Sequence, residues 1–328
     1  MKKVAASLFL SFVALFFVSH VISAHEVYVL SHDQVIQAID TPSFNELSVA
    51  DQNLGEFTFW AFVSVLLVVV VFFSSISGWA EKKFDPFFAR IKKHAPLISR
   101  LTVGFSFLFA ALNQGTYGPE LPLTPAYGAF VPLITVVLVA IGLCIIFNFY
   151  ARVAAAVSLV LFGYAVYRNG WYMLTYVNYL GEFFILLSGI HSLSKKLAPY
   201  GFLVLRVLFG ISLIFASAYA KIIHNNLALF TVEKFHLDKI LGFEPHFLVL
   251  GAAIVELVIG TFFILGIEIR FVSAFFLFWL TLSLIFFGEA VWPHIILIGL
   301  PIAFICYGYD KYSVEGRFFK KGKREPVL

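Results

Sequence analysis

The chain has 328 residues, of which 61% are hydrophobic and 13% charged, and its formal net charge is +4. Soluble domains carry about one quarter charged residues, so this composition excludes a chain that folds with a water-facing surface. The basic residues form no single face and match no nucleic-acid motif, which argues against a nucleic-acid partner. Cys144 and Cys306 both lie inside apolar runs without a CxxC, so no zinc or redox cysteine pair is legible.

In chain order, residues 1–24 read as a signal peptide. Lys2 and Lys3 form the positive region, residues 4–18 the apolar region, and Ser23-Ala24 a small-residue cleavage site. Ile22 fits the minus-three position poorly, and an uncleaved anchor helix is the alternative. The segment 25–56 is acidic, with Glu26, Asp33, Asp40, Glu46, Asp51 and Glu56 and no Lys or Arg. It is too short for a core of its own. Its alternating start, residues 25–30, predicts a strand or a segment packed on the outer helix ends.

Nine apolar spans follow, at 57–76, 101–117, 127–147, 153–167, 173–193, 201–223, 246–267, 271–287 and 294–307. The predicted fold class is therefore all-α, a polytopic transmembrane helix bundle in a lipid bilayer. If residue 25 lies outside, the inner loops hold Lys82, Lys83, Arg90, Lys92, Lys93, Arg100, Arg152, Lys195, Lys196 and Arg270, and the tail adds Lys311, Arg317, Lys320, Lys321, Lys323 and Arg324. The outer side holds only Arg168, Lys221, Lys234 and Lys239. That asymmetry satisfies the positive-inside rule and predicts a cell-membrane protein with its N-terminal segment outside and its C-terminal tail in the cytoplasm.

The pattern RxxxGxSxxFA occurs twice, from Arg100 to Ala110 and from Arg206 to Ala216, at an offset of 106. A second echo follows, since Gly142 precedes Arg152 as Gly260 precedes Arg270. Each half holds an even number of spans, so both enter the membrane in the same sense, as parallel repeats. The predicted organisation is a first helix and basic loop (57–100), a first four-helix repeat (101–199), a second (200–316) and a basic tail (317–328). Ser212, Ala216 and Ala220, spaced four apart, mark a face for close helix approach, as do Ser106 and Ala110. Pro301 interrupts the last span and predicts a kink.

The second half resembles the DoxX family through Arg206, Gly210, Lys221, Glu256, Gly260, Arg270 and the closing GYDKYSVE from Gly308 to Glu315. The resemblance covers 200–316 well and 98–195 weakly, because Gly115 stands where Lys221 stands and Leu138 where Glu256 stands. The first half thus reads as a degenerate copy. The family resemblance implies an integral membrane subunit of a redox system, linked to quinone or to thiol and sulfur chemistry. It names no substrate.

Glu256 lies ten residues from the outer end of its span, ~15 Å deep at the rise of a helix. A carboxylate there costs about 2.5–3.5 kcal/mol on insertion scales, so it is paired, protonated or used. Glu182 poses the same question in the first half, with Asn178 and Tyr179 one turn away as local hydrogen-bond partners. Both are proton carriers in the functional reading and helix-to-helix hydrogen-bond partners in the structural one. Arg100, Arg152, Arg206 and Arg270 sit near inner ends, where snorkelling to headgroups accounts for them. Arg206 is also a substrate-binding candidate. Lys221 is a cation near the outer end, against the charge rule, and either snorkels outward or pairs with a carboxylate or an anionic substrate. His224, His236, His246 and His294 fall at outer helix ends, and His246 and His294 are candidates to bind substrate or relay protons to a quinone headgroup. His25, if cleavage exposes it, offers an α-amino group and an imidazole to a copper ion. No span carries two histidines and no nucleotide-binding loop is present, so electron transfer beyond a quinone needs a soluble or membrane redox partner. A proton-coupled small-solute transporter built on Glu256 and Glu182 is the alternative, and a non-catalytic anchor or assembly factor the third reading.

Overall fold

The computed structural model of the chain describes residues 30, 32–40, single positions between 60 and 84, 86–188, 198–288, 290–310 and 312–319. Among the described residues the fold is all-helical, with no strand. The signal peptide, the candidate ligand His25 and most of the expected first span at 57–76 lie outside the described residues. Of residues 25–30, expected as a strand or as a segment packed on the outer helix ends, the structure describes only Leu30, which packs with Ala220 and Leu227 ahead of a helix, α1 (His32–Asp40).

Six helical rods are long and apolar enough to cross a membrane, namely Pro86–Leu112, Leu123–Ile146, Ala151–Tyr176, Tyr200–Ile223, Pro245–Leu265 and Ile269–Phe287. Their regular cores are α2 (Ala95–Leu112), α3 (Val131–Ile146), α4 (Ala151–Asn169), α6 (Ala198–Ala218), α8 (Pro245–Leu265) and α9 (Ile269–Phe287). Two further apolar helices, α5 (Asn178–Ser188) and α10 (Ile295–Tyr307), are shorter. A short helix with one apolar side, α7 (Asn226–Lys234), lies between α6 and α8 in the chain. Pro301 lies inside α10, fully packed. The boundaries differ from the hydropathy reading mainly at two places. The first rod begins at Pro86 rather than 101, and the chain from Ala151 runs through a 3-10 stretch to Tyr176 before α5 starts.

Large apolar side chains on these rods face outward, including Val136, Val160, Phe278 and Ile285, each at least 60% exposed. A surface of this kind fits hydrocarbon rather than water. The helices therefore cannot rely on hydrophobic exclusion to associate and must do so by close packing. α2 crosses α3 at Gly104 and Gly142, where a Cβ on either glycine would meet the other's carbonyl oxygen, at 3.0 and 2.8 Å. α6 crosses α8 at Gly210 and Gly260 in the same way, at 2.5 and 2.9 Å. The residue four positions beyond each glycine (Leu108, Ile146, Ile214, Ile264) covers the facing glycine in all four cases. α5 packs on α6 at Gly181, against Leu205, and α10 packs on α2 at Gly299, against Thr102. The chain thus closes on itself twice, α5 on the following α6 and the final long helix α10 on α2.

Gly163, also on a rod, has open space where a Cβ would stand. We expect Gly210→Val to destabilise the detergent-solubilised protein by about 1–3 kcal/mol, the cost of overpacking a filled core. Gly163→Val serves as the control and should change the melting temperature little. Equal shifts from the two variants in a thermal melt would refute the crossing.

Candidate functional site

The six rods, taken with the shorter α5 and α10, alternate in direction and define two ends of the bundle. One end carries Lys92, Arg206, Arg270 and the segment from Gly308 to Phe319. The other, here the distal end, carries the turns around Gly115, Gly170, α7 and Trp292.

At the first end the closing motif is tied down by arginines. Arg206 is 2% exposed; its Nε lies 3.4 Å from Asp310 Oδ2, and its Nη1 donates to the carbonyls of Phe263 and, at 2.7 Å, Ile264. It does not snorkel: Nη1 is held by two carbonyls of α8 and the guanidinium is paired with Asp310, although Nη2 is buried without a hydrogen-bond partner. Gly266 turns at φ +69°, and a Cβ there would strike Ser313 and the Arg206 guanidinium. Ser313 donates to the Asp310 carbonyl at 2.6 Å, and Tyr312 N donates to Asp310 Oδ1 at 2.7 Å. Arg270 Nε donates to Ile305 O at 3.0 Å, and its guanidinium lies over the Phe88 ring at 4.3 Å and against Gly308. Glu315 is 2% exposed and its Oε2 accepts from Ile269 N at 3.2 Å, while its own N donates to Gly266 O at 3.1 Å. Burial first, and the nearby Glu268 charge second, push its carboxyl up to about 7.

In the distal half of the bundle, Lys221 Nζ lies 2.9 Å from Glu256 Oε2. Lys221 stands in a π-helical turn, Tyr219–Ile223, that ends the α6 rod, a widening found often at functional sites. Ser217 donates to Ala253 O, which fixes the register of α6 on α8. From that register Lys221 reaches back along α8 instead of snorkelling outward. Its side chain is 7% exposed, that of Glu256 26%, so one side of the pair is open at the bundle surface.

The other sequence candidates stand apart from this pair. His294 is 1% exposed in the turn before α10, with Nδ1 2.9 Å from Ala290 O. It lines a cavity of about 30 Å3 together with Thr175, Tyr176, Asn178, Ser212 and Ala216. His246 is half-buried in the first turn of α8, beside the capping residue Glu244, which accepts from Phe247 N at 2.9 Å. Glu182 is fully buried, and neither carboxyl oxygen accepts a hydrogen bond. Asn178 and Tyr179 do not satisfy it as their spacing suggested. Ser99 and Arg100 of α2 are its polar neighbours, but the Ser99 hydroxyl donates to Pro96 O at 3.2 Å. No group of three metal-ligating side chains occurs among the described residues.

Sequence reasoning missed Glu120. Its Oε1 accepts from Tyr172 at 3.1 Å and from Tyr176, amid the rings of Tyr117, Tyr176 and Tyr179. Glu120 lies in a loop between spans, where a lone carboxylate gives no periodic signal; the clustered tyrosines from 172 to 179 were the legible hint. No family model matches the chain, and neither a curated protein nor a solved structure is similar to it.

The Glu315 geometry sets a pH dependence. Its carboxyl holds a proton more tightly folded, near 7, than at its ordinary 4.5. The folded state therefore binds more protons between those values, and stability falls as pH rises through them. The contribution is full below about 4.5 and gone above about 7. Melting temperature measured across that interval should decline in the native protein and stay flatter in Glu315→Gln; parallel curves would contradict this.

Proposed function

We propose that the protein is an integral cell-membrane subunit of a redox system of the DoxX type, quinone- or thiol/sulfur-linked, working with a separate redox partner. In this reading the short rods α5 and α10 count as spans, a helix at 57–76 completes nine, and two parallel four-helix repeats follow a signal peptide. The N-terminal segment lies outside and the tail in the cytoplasm, as the basic residues favour. The repeat reading is supported by the two glycine crossings, built alike in each half. The family reading is supported by the way its scattered signature residues meet: Lys221 with Glu256, Arg206 with Asp310, and Arg270 with Gly308.

The observation that carries the function is the Lys221–Glu256 pair, 26% open on its carboxylate side within apolar helices. Insertion of a pair there is costly unless it is used or well compensated. Its donor set fits a quinone headgroup arriving from the lipid. Lys221 would hold a carbonyl oxygen and Glu256 a hydroxyl, and the bound quinone would supply two-electron chemistry. Glu256 then takes up or releases the proton at its Oε2, and Lys221 balances the carboxylate charge. His246, at the distal end of α8, stands on the way outward. A proton-coupled transporter is the second reading, favoured by one observation: Glu182, buried and without a hydrogen-bond partner.

Purified protein in lipid with added quinol should give a redox difference spectrum once a suitable electron acceptor is present. Glu256→Gln keeps size and most hydrogen bonding. This variant should insert normally and lose the pH dependence of that reaction. A full rate with an unchanged pH profile would remove Glu256 from the chemistry, and solute uptake without quinol turnover would select the transporter. For orientation, with Cys144 and Cys306 replaced, a cysteine at Lys234 should react with an impermeant reagent in intact cells and one at Lys93 should not. Labelling at Lys93 would invert the topology.

A further inference from the structure

The cavity of about 30 Å3 lies where two 3-10 turns, Gly170–Tyr176 and Trp292–His294, lead into α5 and α10; Ser212, Leu213 and Ala216 of α6 close its third side. A space of this size admits water, for which about 10–15 Å3 suffices. It has no room for a quinone ring. One of its walls carries a hydrogen-bond acceptor in need of a donor. Asn178 is 1% exposed and its Oδ1 has no hydrogen-bond partner. At His294 the Ala290 carbonyl can only accept, so Nδ1 donates to it. A small hydrogen-bond donor satisfies Asn178, and water is the smallest.

The cavity has polar groups on either side. Tyr176 lines it, and the Tyr176 hydroxyl donates to Glu120 Oε1 in the distal loop. Glu182 stands one helical turn beyond Asn178 on the same face of α5, where Cβ atoms lie about 5–6 Å apart, within reach of one bridging water. Its oxygens are unpartnered; Ser99 and Arg100 face it from α2, and from α6 the neighbour at that turn is the apolar Leu205.

We infer that this cavity holds ordered water and that the water, with Asn178 and Tyr176, forms a proton relay between the buried Glu182 and Glu120 at the distal end. The Glu182 carboxyl gives its proton to the water as the water passes one of its own to Tyr176 Oη, and Tyr176 gives its hydroxyl proton to Glu120 Oε1. One O–H bond breaks at Glu182 and one forms at Glu120; no electron moves. Asn178 orients the water by accepting from it. The relay is independent of the quinone reading, because it needs neither Lys221 nor Glu256.

Infrared spectroscopy of the purified protein in lipid tests this directly. The carboxylic C=O band of Glu182 is identified as the one missing from Glu182→Gln, and its shift on transfer to D2O reports proton exchange. Exchange should be fast in the native protein. It should slow by about a hundredfold, the low end of what a positioned proton donor contributes, in Tyr176→Phe and in Ala216→Leu, which fills the cavity. Tyr176→Phe preserves volume and keeps the test valid if Ala216→Leu fails to fold. Unchanged exchange in Tyr176→Phe, or no carboxylic band lost in Glu182→Gln, would overturn the relay.

Discussion

Backbone contact between glycines is the constraint on which the rest of the bundle depends. In hydrocarbon, apolar side chains gain nothing from leaving the solvent, so helices adhere only where their main chains come close enough for dense packing. At Gly210 and Gly260 the space a Cβ would take is already filled by the facing carbonyl. That contact fixes the rotation and height of α6 on α8. The same register sets Ser217 against Ala253, brings Lys221 back onto Glu256, and at the other end lays Gly266 over the Arg206 guanidinium. The ion pairs are consequences of the crossing, since long flexible side chains cannot define a helix register that glycine contact leaves open.

Buried polar groups then divide by how well they are met. Arg206 lies among two carbonyls and a carboxylate, an arrangement that offsets desolvation with charge-assisted hydrogen bonds. It holds the closing segment against α6 and α8 through Nη1 and the Asp310 pair, while its Nη2 has no hydrogen-bond partner. Glu182 and Asn178 are the opposite case. A buried acceptor without a partner costs about 1–3 kcal/mol, more for a charged group, which helix packing alone gives no reason to retain.

The helical class and the lipid setting were legible, because composition and span length report them directly. The RxxxGxS pattern held Gly104 and Gly210, but the faces expected for close approach were Ser106 with Ala110 and Ser212 with Ala216 and Ala220, whereas the crossings lie at the glycines. Which glycine faces which was not legible, since spacing along one helix says nothing of its rotation against another. The arginines illustrate the limit. Position near a helix end suggested that Arg206 snorkels, yet Asp310, more than a hundred residues away in sequence, draws it inward. Lys221 was legible as an outlier of the charge rule, and Glu256 as a costly carboxylate, but their contact depends on the π-helical turn at Tyr219–Ile223, which no residue pattern announces. Glu120 escaped because its hydrogen-bonding tyrosines, Tyr172 and Tyr176, come from a 3-10 stretch more than fifty residues further on.

The two halves also differ in where they keep their polar residues. Where the second half has Lys221 and Glu256, the first has Gly115, pressed against Gly118 and Trp292, and Leu138, almost wholly buried. At the offset that relates Gly142 to Gly260, the first half's Asn178 and Glu182 correspond to Ile296 and Leu300, and Tyr176 to His294. The two segments thus keep their carboxylates on different helices, Glu256 on α8 and Glu182 on α5, which packs on α6. Tyr176 and His294 then meet across one cavity, so the polar centre of the first half sits at the seam between the halves, while that of the second half sits at its own α6–α8 crossing.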